Sequence, residues 1–371
     1  MSKWTNLSYA NVATTSPAAH QIASEWADSL ARGGAAEFDG DAEKNGMLPL
    51  RKSASDLLSC DIGDVCVGSS ATELLCSLAW AISPGAGSNI VSSRASFPST
   101  VYPWARVAES NGAEIRLADH DDRLYTDPGT LLSLVDSDTS VVTISHVEFS
   151  TGQRYDLATL SDAAHSVGAL LVVDATQSMG MLPIDAYRSG ADAIVSSGYK
   201  WLRGTYGAAV GYISPSIVGE MNPGLVGFRS HSDLWDLRAD RLELPGDASR
   251  FEFTTLHFGA ALGLAVAIDE LNEIGIGEVW KHNLGLADLV VEAAGDLGLE
   301  VASPLSEMER SAIVSLVLPE GVSSLDVARR LQDEYSILVT SRSGLLRVSP
   351  HIDNNEDEIE ALSSALSEII S

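Results

Sequence analysis

The sequence predicts an α/β protein, a mainly parallel sheet with helices on both faces, followed by a smaller α+β domain at the C-terminal end. Three observations predict it. Between residues 65 and 213, short apolar runs of strand length alternate with stretches of helical periodicity, the rhythm of strands joined by crossover helices. The run at 170–173 is apolar throughout and that at 193–195 likewise, as expected of strands buried on both faces. From about residue 256 the rhythm gives way to two long amphipathic helices and then to short strands mixed with helices.

In chain order, a first helix begins after Ser16 as N-cap with Pro17 at its first position and stops near Gly33. Residues 31–46, small, acidic and glycine-bearing, read as an exposed connection. A weak strand at 65–67, a tight turn at 68–71 and a helix at 72–82 ending before Pro84 come next. Strands at 89–92, 114–117, 140–145 and 170–173 alternate with helices at 127–135 and 157–167, and Phe97 stands just before another helical stretch. Beyond Ile213 the rhythm is lost until about residue 256, and a loop that long in a compact domain is usually functional. Helices at 256–274 and 276–297, a strand at 312–318, a helix at 325–335, short strands at 338–340 and 345–348 and a terminal helix complete the chain. This divides it into an N-terminal segment, 1–35, that packs with the small domain, a large domain, 36–255, and linking helices with the small domain, 256–371.

Charge narrows the partners. With 51 acidic against 23 basic residues the net charge is -28, which repels nucleic acid and anionic membranes. Such a surface also suits a salt-rich environment. Cys60, Cys66 and Cys76 are odd in number and follow no metal-ligand spacing, so they read as core or incidental thiols and no metal site is expected. The N-terminal MSKWTNLSYAN lacks the apolar stretch of a signal peptide, and no apolar run reaches the roughly 18 residues of a membrane span, which predicts a soluble, cytoplasmic protein.

The chemistry concentrates in residues 170–214. One apolar run delivers Asp174 at its carboxyl end, where open α/β sheets place their ligands, and the next delivers Ser196, Ser197 and Lys200. Lysine is scarce, the others being Lys3, Lys44, Lys52 and Lys281, so a lysine at a strand end, followed by an aromatic and a glycine-rich turn, reads as a Schiff-base residue. Taken singly, Asp174 could cap a helix and Lys200 could be a solvated cation. The strand, small-residue turn and helix start around Ala71 and Thr72 form an anion site, because free amides and the helix dipole point the same way; plain helix capping is the alternative.

These motifs resemble those of the class V aminotransferases of fold type I, which include cysteine desulfurases, kynureninases and isopenicillin N epimerase-like enzymes. The resemblance rests on Asp174 and Gln177 in D-x-x-Q, on SSGYKWLRGTYG around Lys200 and on LLRVSPHIDNNEDEIE near the C-terminus, and it extends over nearly the whole chain. It implies pyridoxal 5′-phosphate (PLP) as cofactor, with Lys200 in the Schiff base, Asp174 on the pyridine nitrogen, Gln177 on the phenolate oxygen, and Ser197, Ala71 and Thr72 among the cofactor-binding residues, the last two at its phosphate. Phe97 matches the position of the ring that stacks on the cofactor, a histidine in desulfurases; a core aromatic is the alternative. The opening TNLSYANVATT resembles a loop beside the substrate carboxylate, which implicates Asn11 and Ala13, and Arg347 aligns with the arginine that grips that carboxylate. His146 and Phe149 fall near the substrate in the family, Phe149 where desulfurases have an asparagine. RFEFTTLHFGA resembles a segment whose threonine, here Thr255, reaches the phosphate in a neighbouring subunit, so a homodimer with shared active sites is implied.

The reaction implied is removal of an amino acid's α-proton by Lys200 to give a quinonoid. Desulfurases carry a persulfide-forming cysteine on the loop before the arginine, but here that loop is VTSRSGLLR and no cysteine follows Cys76. The expectation is therefore a lyase cleaving a C-S or C-C bond of a β-substituted amino acid, with an aminotransferase or an epimerase as alternatives. A non-catalytic binding protein on the same fold is the remote one.

Overall fold

A computed structural model of the chain describes residues 4–36 and 38–370; the reading of the extreme N-terminus at residues 1–3 lies outside them. The chain opens with β1 (Thr5–Asn6) and α1 (Pro17–Gly33), whose N-cap Ser16 accepts from the Ala19 amide. Then come α2 (Gly40–Asn45), α3 (Leu48–Leu58), β2 (Val65–Gly68), α4 (Ala71–Ile82), β3 (Asn89–Ser93), α5 (Pro98–Asn111), β4 (Glu114–Ala118), α6 (Pro128–Leu132), β5 (Thr139–Ser145), α7 (Leu157–Ser166), β6 (Leu170–Asp174), α8 (Ala186–Ser189), β7 (Ala193–Ser197), β8 (Ala209–Ile213) and α9 (Pro215–Val218).

The large sheet has seven strands in the order β2-β8-β7-β6-β5-β3-β4. Five of them, β7 to β4 along the sheet, are parallel, and β8 runs antiparallel to both of its neighbours, so the sheet is mixed at one edge. The parallel strands point their carboxyl ends one way, which brings Asp174 and Ser197 to the same rim. Period-two alternation splits the core into two layers. Leu171 and Val173 of β6 join one apolar cluster and Val172 the other, as a strand covered on both faces requires.

Next, α10 (Phe258–Ile274) buries its apolar face in the core of the large unit, and α11 (Ile276–Asp296), β9 (Glu300–Val301), β10 (Val314–Val317), α12 (Ser324–Tyr335), β11 (Ile337–Leu338), β12 (Thr340–Arg342), β13 (Leu345–Val348) and α13 (Glu356–Ile370) build a smaller unit. Its sheet runs β12-β13-β10-β9, all antiparallel, and has its own apolar cluster of Leu286, Leu316, Leu331, Leu346 and Leu362. The N-terminal segment touches both units: β1 pairs in parallel with β11, and α1 packs on α10, whose Phe258, Ala261 and Leu264 belong to the core of the large unit.

Two expectations need correction. The stretch read as an exposed connection is exposed or partly exposed in its described residues but contains a helix, α2, which Asp39 caps through the amides of Asp41 and Ala42, and it leads into α3, which buries Leu50, Ala54, Leu57 and Leu58. The helix expected over 127–135 is one short turn, α6, capped by Asp127 and closed at Ser133. Elsewhere helix and strand ends fall within one or two residues of those read from the sequence, apart from the strand expected over 312–318, of which only Val314–Val317 is extended, and that expected over 338–340, which is two strands, β11 paired with β1 and β12 with β13.

Candidate active site

At the carboxyl rim of the large sheet lies a cavity lined by Ala71, Thr72, Phe97, Phe149, Asp174, Gln177, Ser197 and Lys200, together with Ser99, Ser145, Val147, Thr176 and Tyr199. Each group is held by the chain around it. Asp174, the last residue of β6, accepts from the Thr100 hydroxyl (3.0 Å) on one oxygen and from the Thr176 amide (3.0 Å) on the other. Gln177 is oriented at both ends of its amide: Oε1 accepts from Trp201 Nε1 (2.9 Å) and Nε2 donates to the Ala10 carbonyl (2.9 Å). That leaves Gln177 one N–H for a ligand.

Lys200 follows β7 on a tight loop. At Gly198 any Cβ would come within 2.6 Å of Leu264 Cδ2, and Arg203 adopts a left-handed backbone (φ 57°) while its guanidinium is anchored by Asp353 and Glu270. The Lys200 side chain is buried, and among the described residues no carboxylate lies within 4.0 Å of its Nζ. It sits 5.6 Å from the Phe97 ring centre and 5.8 Å from that of Tyr199. Burial pushes its pKa down to about 8, against the pull of Asp174 and helped by the charges of Arg347 and Arg342. A lysine so placed has a substantial neutral fraction near physiological pH, which a nucleophile needs.

The helix start expected to hold an anion is α4, with Ser70 as N-cap accepting from the Glu73 amide. The Ala71 amide already donates to Ser197 Oγ (3.0 Å), and the Thr72 hydroxyl donates to Ser99 Oγ (2.9 Å). Phe97 caps the cavity, half exposed, in edge contact with Phe149 at 5.3 Å between ring centres. His146 faces a different cavity, and burial pushes its pKa down to about 3. Asn11, Ala13, Arg347 and Thr255 do not line the Lys200 cavity itself. Ala13 reaches it through its amide on the Tyr199 carbonyl (3.0 Å), and Arg347 through Nη1, which donates to the Phe149 carbonyl. Asn11 accepts from Arg342 (2.8 Å), and Thr255 is exposed and donates to Glu43 (3.2 Å).

Arg347 is almost wholly buried (1 % exposed), and its Nε and Nη2 have no partner. Burial, helped by nearby Arg342, pushes its pKa down to about 9. Buried polar groups are nearly always paired, so these two donors are open to a ligand or an ordered water. Sequence reasoning passed over Thr100, Trp201, Glu148 and Arg342. Only Trp201, an indole directly after the lysine that needs an acceptor once buried, had a local signal.

The cavity thus combines a buried amine with a lowered pKa, a carboxylate, a half-free amide, a flat ring and a helix N-terminus. Comparison with known proteins agrees with this chemistry: the Aminotransferase class-V family model matches residues 41–362. The chain belongs to the class V aminotransferase family. Members of that family depend on PLP. Among curated relatives, a probable cysteine desulfurase of Methanothermobacter thermautotrophicus is 29% identical over 300 residues, 76% of this chain and 73% of that protein. A kynureninase of Deinococcus radiodurans is 29% identical over 279 residues, 72% of this chain and 65% of that one. The fold is also that of the apo cysteine desulfurase from Thermococcus onnurineus NA1 (TM-score 0.88, 24% identity, 99% of this chain and 95% of that one). The cystine C-S lyase C-DES, solved with its product cysteine persulfide, has the same fold (TM-score 0.89, 20% identity, 98% and 97%).

Proposed function

We propose that this class V enzyme is a PLP-dependent lyase that cleaves a C-S or C-C bond of a β-substituted amino acid without a persulfide-forming cysteine. The residues present fit the cofactor: Lys200 Nζ is the amine to hold it, Asp174 the carboxylate for its ring nitrogen, Gln177 the donor for its phenolic oxygen, Phe97 the covering ring, and Ser197 with the start of α4 the setting for its phosphate. When bound, PLP draws electrons away from the substrate's α-carbon. Lys200 then moves the α-proton, Arg347 takes the α-carboxylate on its unpartnered donors, with Asn11 and Ala13 beside it, and the phenyl ring of Phe97 excludes water but exchanges no proton.

The observation that carries the lyase reading is the β12–β13 hairpin leading to Arg347, Thr340 to Val348, which bears no thiol. The three cysteines stand outside the cavity lining, and burial pushes each thiol up, Cys60 to about 12. A protonated thiol is a poor nucleophile. The test is product analysis with a panel of amino acids, with and without a keto acid. Loss of the β-substituent without any acceptor supports the lyase, with ammonia and a keto acid left from a C-S bond or alanine from a C-C bond; strict dependence on an acceptor would replace it by an aminotransferase.

The same reading includes a homodimer. Thr255 is exposed and outside its own chain's cavity, and the nearby loop exposes Phe228, Trp235 and Leu237. A second copy could cover these and receive Thr255 at its phosphate site. A monomer by sedimentation that binds PLP tightly would end this part of the proposal.

A further inference from the structure

In a chain where carboxylates outnumber cations more than two to one, arginines find acidic partners easily: Arg116 has Glu114 and Asp136, Arg203 has Glu270 and Asp353, Arg330 has Glu334. Arg342 and Arg347, like Arg154 and Arg250, whose guanidinium groups are taken up by backbone carbonyls, have none within 4.0 Å among the described residues. Arg342 and Arg347 are also neighbours by construction. In the β12–β13 ladder Thr340 stands opposite Arg347, and Arg342 lies two residues beyond Thr340, so both guanidinium groups leave the same face as diagonal neighbours. Their Cβ atoms are therefore roughly 7–8 Å apart. The hairpin is closed by Ser343 and Gly344, both left-handed (φ 50° and 84°), which fixes this register.

Arg342 is half-buried. It donates to Asn11 Oδ1 (2.8 Å) and to the Ser341 carbonyl (3.2 Å), and it lines, with Asn11, Ala13 and Thr340, a groove separate from the Lys200 cavity; Ala13 links the two through its amide on the Tyr199 carbonyl. Its charge is felt at both Lys200 and Arg347, whose pKa values it helps to lower. One α-carboxylate neutralises one arginine. A neutral side chain would leave the second cation facing the first across a partly desolvated gap.

We propose that Arg342 is a specificity-determining residue, and that the preferred substrate is an amino acid whose side chain ends in an anion, a carboxylate or sulfinate, which Arg342 binds while Arg347 holds the α-carboxylate. This rests on the reading of the cavity as an amino-acid site. Asn11 presses Arg342 into place through the carbonyl end of its amide, and the diagonal spacing selects short side chains, of aspartate or cysteine-sulfinate length, over long ones.

The experiment is titration of the PLP-loaded protein with L-aspartate, L-cysteine sulfinate, L-alanine and L-cysteine, reading each dissociation constant from the change in cofactor absorption. The wild type should bind the two acidic amino acids at least tenfold more tightly than the neutral pair. Arg342→Gln should lower that ratio at least tenfold, and Arg342→Lys should restore part of it, which a merely structural role would not do. A wild type that binds neutral and acidic amino acids alike, or an Arg342→Gln protein that keeps the preference, would overturn this inference alone. A wild type whose absorption answers to no amino acid would overturn the underlying reading and this inference with it.

Discussion

The two halves of the site are built on opposite principles. On the large-sheet side the two groups that face the cavity with a carboxylate and an amide are held by the protein itself, Asp174 by Thr100 and Thr176, Gln177 by Trp201 and Ala10. On the small-domain side Arg347 is buried with two donors unpartnered, and Arg342 has no carboxylate. A resident cofactor needs a site that exists before it arrives, whereas a substrate is best met by groups whose desolvation its own charge repays. Removing a group from the first half should damage chemistry outright; removing one from the second should cost binding and spare or improve the fold.

The largest effect tests the first half. Lys200→Ala should lower turnover by about 10³-fold or more, since the proposed roles make this residue both the cofactor's anchor and the general base. Borohydride reduction of the wild type should fix PLP to the chain with a mass increase mapped to Lys200, and the variant should take up none. A reduced adduct on any other residue would sink the assignment.

The middle-sized effect tests the second half. Arg347→Met removes a buried cation whose desolvation only the Phe149 carbonyl offsets, so Tm should hold or rise by about 2 °C. Amino-acid affinity, read from cofactor absorption, should fall about 10–100-fold, the worth of a charge-assisted pair. If Tm drops instead, Arg347 serves the fold and the contrast between the halves fails.

How much of this could be read beforehand follows the same division. Strand ends announce themselves through uniform apolar runs, so Asp174, Ser197 and Lys200 were placed on one rim from 170–173 and 193–195 alone. The resemblance led to Gln177 and Arg347. What escaped were the partners that hold these groups: Thr100 lies 74 positions from Asp174 and Asn11 lies 331 from Arg342, and no local pattern encodes such pairs. Helix α3 was missed because its burial, through Leu50, Ala54, Leu57 and Leu58, serves contacts with α10 and β2 that the glycine-rich stretch before it does not foreshadow. The antiparallel β8 was invisible for a similar reason: an apolar strand reads alike in either direction.

The smallest effect lies at the seam between the halves. Residues 148–154 follow β5 and touch the small domain through Arg347 on the Phe149 carbonyl, Ser315 on the Ser150 carbonyl and the Arg154 amide on the Glu309 carbonyl. Within this seam Glu148 is fully buried; one oxygen accepts from Ser96 (2.8 Å), the other has no partner, and Tyr155 and Asp174 are its ionisable neighbours. Burial pushes its pKa up to about 8, so between the ordinary glutamate value and 8 the native chain holds a proton that the unfolded chain has released. Stability from this group must then fall as pH rises through that window. Glu252, raised to about 7 by burial, adds the same sign, while His146 and His351, both pushed down to about 3, make stability fall on the acid side of their ordinary value. Melting temperature should therefore peak at mildly acidic to neutral pH. Glu148→Gln keeps the shape and the Ser96 contact without the proton, so its Tm should exceed that of the wild type by about 2 °C at pH 8 and match it near pH 5. A gap that does not change between these pH values would show that Glu148 carries no proton in the folded chain, and the seam would then belong to the self-satisfied half of the site.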